Sequence, residues 1–331
     1  MTAMPDTGRS NAIGITLIVL VMVFLTINDT GVKWLSNDYP LHQIVFIRSS
    51  IGICITMVLL QFEGGWGKLR TSTPGLHVIR ALLLVLANIL FFAGLATLPL
   101  AEATALFFIA PLCITLLSMP LLGAPVGPRR IFAVLVGFAG VVMMTRPVGG
   151  AADAPPLWAL ALPVAAALCY ALMQILTRKL GANSPASALS FYIQAAFILT
   201  GIGFFLAAGD GRFAVGVENA SLQFLFRAWI VPPVGDWWIL GGLGVIIGVM
   251  GYCLAQAYRL GEPSVIAPFE YVALPFAVLW GFLIWGDLPD AWATAGIVMI
   301  VGSGVYVFVR ERRVSTPDAA LSKSPTPHDP A

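Results

Sequence analysis

Ten stretches of predominantly apolar residues follow one another along this chain, and most are separated by only a few polar residues. A helix needs about 20 apolar residues to cross the hydrocarbon core of a bilayer. The stretches are therefore predicted membrane spans, at approximately residues 13–35, 41–61, 76–97, 100–122, 130–146, 157–178, 186–207, 236–259, 263–285 and 290–309. The sequence predicts an all-α integral membrane protein with ten transmembrane helices.

The composition agrees with this prediction. Hydrophobic residues make up 59% of the chain and charged residues 10%, whereas about 25% of an ordinary soluble domain is charged. The net charge of +2 gives no reason to expect a nucleic-acid partner. The four cysteines lie inside apolar stretches, so no disulfide framework is predicted. The first stretch is too long for a signal peptide and is read as a span.

The basic residues indicate the orientation. If the N-terminus is cytoplasmic, the inner loops and tails hold twelve of the eighteen Lys and Arg residues. Cytoplasmic loops carry such an excess of basic residues. Both termini are then cytoplasmic, which requires an even number of spans. We expect a multi-pass protein of a bacterial inner membrane.

The second half of the chain repeats the first. Matching residues recur in the same order: Lys33 with Arg178, Pro40 with Pro185, Phe46 with Phe191, Gly123 with Gly286, and Arg146 with Arg310. Each half holds five spans, and an odd number inverts the second half, as in many secondary transporters. We predict a cytoplasmic tail (1–12), a first repeat (13–147), a linker (148–156), a second repeat (157–312) and a disordered cytoplasmic tail (313–331).

Glu270 lies near the middle of a predicted span, between Pro268 and Pro275. A charge at this depth costs about 2.5–3.5 kcal/mol, so it normally faces a protein interior or a watery cavity. The residues predicted to share its helical face are Ile266, Ala267, Ala273, Leu274 and Ala277. Three alanines leave space beside the acid. Glu270 is thus either a structural partner of a neighbouring helix or a carboxylate that binds substrate or a proton.

Two segments resemble a known family. They are LATLPLAEATALFFIAPLCITLLSMPLLGAPVGPRR (95–130) with VGFAGVVMMTRP, and YRLGEPSVIAPFEYVALPFAVLWGFLIWGD with GSGVYVFVRER. Both resemble repeats of the EamA branch of the drug/metabolite transporter superfamily, and the likeness covers about residues 12–312. One departure is Ala124, since the family commonly has Glu after Gly at this point; Asp287 keeps an acid in the second half.

The resemblance implies two inverted five-helix repeats around a central cavity. Members of the family move amino acids, nucleoside-like metabolites such as S-adenosylmethionine, or vitamins such as riboflavin, often by proton coupling or exchange. The expected partners are a small-molecule substrate and the lipid bilayer, with protons or a counter-substrate for coupling. A homodimer is the candidate assembly.

Polar side chains inside spans are the candidate site residues, because lipid offers them no partner. They are Asp29, Arg48, Asn88, Tyr170, Gln174, Tyr192, Gln256, Glu270 and Tyr271. Asp29 and Gln174 are repeat partners at a spacing of 145. Arg48 has three alternative partners: Asp29, Glu270, or a substrate carboxylate held by two hydrogen bonds. Aromatic faces with a few polar groups suit a planar or zwitterionic metabolite, although helix packing is the alternative role for each tyrosine.

Two cations and a row of glycines have simpler explanations. Lys33 is expected to reach the outer interface or to pair with Asp29 four residues earlier, and Arg80 to extend toward lipid headgroups. Three glycines, Gly244, Gly248 and Gly251, form a flat stripe that predicts close helix packing, with sliding between helices as the functional alternative.

Enzyme motifs are missing from the sequence. There is no His-Glu-x-x-His, and residues 63–68 lack the spacing of a phosphate-binding loop. We predict a secondary active transporter that works by alternating access, with no enzymatic activity, cofactor or metal. Glu270 would bind a proton or a substrate amine, and Asn88, Gln174 and Tyr271 would complete the pocket. An uncoupled facilitator or channel is the first alternative, and a membrane scaffold the second.

Overall fold

The structure is a computed structural model that describes residues 7–122, 128–144, 155–180, 184–260 and 267–314. These residues contain helices and loops but no strand. The α-helices are α1 (Thr7–Leu35), α2 (Leu41–Phe62), α3 (Pro74–Leu95), α4 (Leu100–Phe107), α5 (Ala110–Leu122), α6 (Pro128–Met144), α7 (Leu157–Leu180), α8 (Ala186–Ala208), α9 (Ala220–Phe226), α10 (Asp236–Leu260), α11 (Ala273–Trp285) and α12 (Ala291–Val314). Two 3₁₀ helices cover Trp66–Leu69 and Ala267–Val272.

Six helices of the described part are long and apolar enough to cross a membrane, and four apolar helices are shorter. The six long ones lie in α1, α2, α3, α7, α8 and α10. Leu199, Leu206 and Val298 have more than 60% of their surface exposed, which suits a surface that faces lipid. The all-α membrane protein is confirmed. Ten spans, their inverted repeat and the domain boundaries stay predictions, and most of the predicted linker and C-terminal tail lies outside the described residues.

Hydrogen bonds between helix ends define two ends of the helix bundle. At the first, the Lys33 ammonium donates to the Leu95 carbonyl at 3.0 Å, and the Tyr39 hydroxyl donates to Asp236 at 2.5 Å. At the opposite end, the Ser187 N–H donates to Glu63 at 3.1 Å. We call them the Lys33 end and the Glu63 end. The helix α2 begins at the first and finishes at the second, as a spanning helix does.

Two of the predicted spans are not continuous α-helices. In the fourth, α4 ends at Phe107 and α5 begins at Ala110, because Pro111 has no N–H for the Phe107 carbonyl and its ring crowds that oxygen. In the ninth, the 3₁₀ helix 267–272 precedes α11, with Pro275 four residues after Tyr271. The prediction of one continuous α-helical face around Glu270 was therefore wrong. Regular α-helix begins only at Ala273, and Ile266 lies outside the described residues.

Two glycines of the stripe, Gly244 and Gly248, place α10 directly against α2. A Cβ atom at Gly244 would lie 2.6 Å from Ile51 Cβ and 3.1 Å from the Arg48 carbonyl. At Gly248 it would lie 3.1 Å from Gly52 Cα. The predicted close packing is confirmed, and it holds the backbone of Arg48 against α10.

Gly244→Ala is expected to lower thermal stability, because the new methyl group has no room between α10 and α2. Overpacking of this kind costs about 1–3 kcal/mol. The measurement is the unfolding temperature of the purified protein in detergent. Gly242→Ala is the matched control on the same helix, since nothing lies within 4 Å of its Cβ position. Equal unfolding temperatures for the two variants would contradict the close contact.

Candidate functional site

A first polar cluster lies around Arg48, and we call it the arginine cluster: Asn28, Asp29, Arg48 and Asn88. Arg48 is 2% exposed, and its guanidinium donates to the side-chain oxygens of Asn28 and Asn88, both at 3.2 Å. The Asn28 amide donates to the Asp29 carboxylate at 3.1 Å. The helices α1, α2 and α3 thus each contribute to one buried network.

Arg48 is held by dipoles and ring faces as well as by charge. Its guanidinium lies over the rings of Phe92 and Phe197, 5.4 and 6.0 Å from their centroids, positions that allow cation–π attraction. Asp29 attracts it electrostatically. Its Nε is buried and has no hydrogen-bond partner among the described residues. Of the partners predicted for Arg48, the structure places Asp29 close enough to attract it. The Nε–H of Arg48 is the donor that could still bind an anionic group.

A second cluster contains four of the predicted site residues, and we call it the glutamate cluster: Tyr170, Gln174, Glu270 and Tyr271. Glu270 is 7% exposed and interacts electrostatically with both tyrosines. The Gln174 amide donates to the Tyr170 hydroxyl at 2.6 Å. The Tyr271 hydroxyl is buried without a hydrogen-bond partner in the described part of the chain, and it lies where a side chain at Gly304 would otherwise be.

Aromatic rings connect the two clusters. From Phe92 beneath Arg48, ring contacts run to Phe91, to Phe107 and to Tyr170, each with centroids 5.3 Å apart. Phe108 contacts Tyr271 at 5.4 Å. The sequence analysis did not find these phenylalanines. A signal was present, since Phe107 and Phe108 stand 163 residues before Glu270 and Tyr271, the spacing of the later repeat pairs.

Two predicted site residues lie at the Glu63 end instead. Gln256 donates to Tyr252 at 2.7 Å and to Glu63 at 3.1 Å. The Tyr192 hydroxyl donates to the Leu69 carbonyl. The Tyr192 ring lies beside that of His77, with centroids 4.8 Å apart. The structure therefore places both in a network that ties helix ends together, away from the two clusters.

Arg80 does not extend to the lipid headgroups, so that prediction was wrong. Its side chain is 6% exposed, because it donates to the Thr177 hydroxyl at 2.7 Å and to the Leu189 carbonyl at 3.3 Å. It also interacts electrostatically with Tyr170. Arg80 is a cation near the glutamate cluster that the sequence analysis had set aside.

A cavity of about 20 Å³ adjoins the arginine cluster, with His42, Asn88 and Phe197 in its wall. A volume of this size holds one water molecule. The side chains beside Arg48 are thus closely packed in this conformation. The described residues contain no group of three or more His, Cys, Asp or Glu that could hold a metal ion.

The glutamate cluster lies where the 3₁₀ helix Ala267–Val272 precedes α11, and aromatic rings join it to the buried arginine cluster. Irregular backbone and charged groups at membrane depth occur where they line a binding cavity or are buried in protein. Interrupted helices of this kind form the midplane sites of membrane carriers.

Comparison with known proteins shows which proteins the chain resembles. Residues 12–146 match the EamA-like transporter family. The chain is 25% identical over 312 residues to an S-adenosylmethionine uptake transporter of Rickettsia prowazekii, covering 94% of this chain and 97% of that protein. It is 28% identical over 278 residues to a riboflavin transporter of Vibrio cholerae, covering 83% and 85%. A pseudopaline exporter, CntI, of Pseudomonas aeruginosa is 26% identical over 290 residues, covering 87% and 93%.

A solved crystal structure shares the fold, with a TM-score of 0.63 and 19% identity, covering 94% of this chain and all of that one. The resemblance to EamA-type transporters is therefore confirmed. The family match carries it in the first half, and transporters aligned along nearly the whole chain carry it in the second.

Arg48→Met is expected to lower the unfolding temperature, because it leaves Asp29 without a counter-charge and two amide oxygens without donors. A hydrogen bond to a charged group contributes about 1.5–3 kcal/mol. Arg212→Met is the control, since that side chain is 59% exposed. An unchanged unfolding temperature for Arg48→Met would show that the arginine cluster does not stabilise the fold.

Proposed function

We propose that the protein is a secondary active transporter that moves a small polar organic metabolite across the membrane by alternating access. The observation that carries the proposal is the burial of Glu270 among Tyr170 and Tyr271 at an interruption of a spanning helix. Similarity to transporters over nearly the whole chain supports it. The protein would act as a carrier rather than an enzyme.

The proposed architecture is ten spans in two inverted repeats of five. The interruptions at Phe107 and at Glu270 support it, because the two residues are 163 apart, like other repeat pairs. Both termini would lie in the cytoplasm of a bacterial cell, and the excess of Lys and Arg that this orientation gives the inner loops supports it. A homodimer is the candidate assembly.

The clusters suggest a role for each side chain. Glu270 binds a proton or a substrate amine, and the Tyr271 hydroxyl and the Tyr170–Gln174 pair donate to or accept from the same molecule. Arg48, oriented by Asn88, binds a carboxylate through its spare donor. The phenylalanines between them offer ring faces to an apolar or planar part.

The substrate class that fits is a metabolite with a cationic and an anionic group. Similar proteins are named for S-adenosylmethionine, riboflavin and pseudopaline, and the names include both uptake and export. Direction is therefore not part of the proposal. Coupling to protons or to a counter-substrate would drive the movement, because a charged carboxylate at this depth is costly unless a proton or a ligand neutralises it.

An uncoupled facilitator or channel is the competing function. It would carry flux without stimulation by substrate on the far side, whereas a carrier exchanges one molecule for another. A scaffold would carry no flux. Counterflow therefore separates the three functions.

Proteoliposomes loaded with unlabelled S-adenosylmethionine, riboflavin or amino acids are expected to accumulate one of these compounds in labelled form. Glu270→Gln should lower that accumulation about tenfold or more, because a hydrogen bond to a charged group is lost. If Glu270 carries only the proton, the variant keeps counterflow and loses uptake driven by a pH gradient. Wild-type behaviour in both assays would remove Glu270 from the mechanism.

Gly304→Ala tests Tyr271 without changing the tyrosine. The new methyl group would overlap the Tyr271 hydroxyl and push the ring away from its position beside Glu270. Counterflow should fall about tenfold or more, since small displacements of binding groups are costly. Gly302→Ala on the same helix is the matched control, because nothing lies within 4 Å of its Cβ position. Equal counterflow in both variants would separate Tyr271 from the site.

A further inference from the structure

Lys33 has partners that neither of its sequence-based explanations included. Its ammonium donates to the carbonyl of Leu95 at 3.0 Å and to that of Leu98 at 2.5 Å. Both oxygens lie at the end of α3 and in the turn that leads into α4. The cation is therefore held against the negative end of a helix, a favourable position for a positive charge.

Proline explains why an oxygen is available there. The carbonyl of Leu95 would normally accept the N–H of residue 99, but Pro99 has none. A carbonyl left in this way at a helix end needs another donor. Lys33 supplies it from α1, so one side chain replaces a missing backbone bond and joins two helices.

Two acids and an aromatic ring complete the arrangement. Lys33 interacts electrostatically with Asp287 and with Glu102, which follow α11 and open α4. Its ammonium also lies over the Trp285 ring, 5.4 Å from the centroid. One flexible side chain thus contacts or attracts the ends of α3, α4 and α11 while anchored on α1.

Lys33 lies at the border between the buried clusters and the rest of the Lys33 end. It lies one helical turn beyond Asp29 of the arginine cluster. Further from the Lys33 end, where α1 contacts α11, the Trp280 N–H donates to the Thr26 hydroxyl at 3.3 Å. The helices α1 and α11 are therefore joined by the partly buried Lys33 and by one hydrogen bond further from the Lys33 end.

The repeat partners of these three residues reproduce the cation but neither acid. At the spacings of 145 and 163, the partners of Lys33, Glu102 and Asp287 are Arg178, Val265 and Ala124. The cation is kept and both acids are absent. The sequence therefore supplies this set of charges once rather than in both copies of the repeat.

We propose that Lys33 is a latch that closes the path from the buried clusters to the Lys33 end, and that it must leave its partners for that end to open. Breaking these contacts removes the polar ties of Lys33 to α3, α4 and α11 together. The latch rests on the proposed alternating access. Its test needs no substrate, so it can fail or succeed independently of the transport assays.

The test uses cysteine labelling in lipid nanodiscs, with Cys54, Cys113, Cys169 and Cys253 replaced by alanine. Thr30 precedes Lys33 by one helical turn and is 8% exposed, so Thr30→Cys reports opening at the Lys33 end. Thr56→Cys, in α2 toward the Glu63 end and 1% exposed in the parent, reports the opposite end. A charged, membrane-impermeant maleimide measures the rate at each reporter.

In the Lys33→Met variant, the maleimide should label the Thr30→Cys reporter about tenfold faster. An increase of this size is possible because a minor open state commonly makes up about 0.1 to 10% of the molecules. The Thr56→Cys reporter should not become faster. Lys33→Arg keeps the charge and the donors and should stay near the parent rate. Lys68→Met removes an exposed cation at the other end and is the matched control.

Asp287→Asn leaves the carbonyl bonds of Lys33 intact, so it should give a smaller increase at the Thr30→Cys reporter. It also serves if Lys33→Met does not yield a single folded species. Parent-like labelling of the Thr30→Cys reporter in folded Lys33→Met would overturn the latch; if only Asp287→Asn folds, its parent-like labelling would do so. An equal increase at both reporters would overturn it as well, because it would show general loosening.

Discussion

A charged group inside a membrane must find its partners within the protein, and the structure depends on how Arg48 meets this requirement. Its guanidinium uses amide oxygens from α1 and α3 and ring faces from α3 and α8. Without water, each of these contacts restricts where a whole helix can lie. The glycines of α10 then allow that helix to pack against the backbone of α2. Four helices are positioned around one cation and one close contact.

Interrupted helices supply the second half of the site. Pro111 and Pro275 remove backbone donors and crowd the preceding turn, so the chain leaves regular α-helix near Phe107 and just before α11. Such interruptions turn side chains in directions that a continuous helix would not allow. Glu270 thereby comes within electrostatic range of Tyr170 of α7, and phenylalanine rings link the glutamate cluster to the arginine cluster. Arg48 and Glu270 thus stand in two separate clusters joined by ring contacts.

Part of the candidate site could be predicted from the sequence and part could not. Glu270, Tyr271, Gln174 and Tyr170 were found as polar residues in apolar stretches, and the structure brings them together. Gln256 and Tyr192 satisfied the same criterion but lie in a network at a helix end. Depth along a span can be read from position. Which neighbour a side chain meets depends on rotation and packing of other helices, and no local pattern records it.

The sequence by itself determined that this is a multi-pass helical membrane protein, because the length and apolarity of a span are properties of contiguous residues. It also determined where proline withdraws backbone donors. Only the tertiary structure decided that Asn28 and Asn88 share Arg48, that Lys33 completes the end of α3, and that 3₁₀ helix precedes α11. These outcomes depend on contacts between residues distant in the chain, where hydrogen bonds must be satisfied among helices rather than by water.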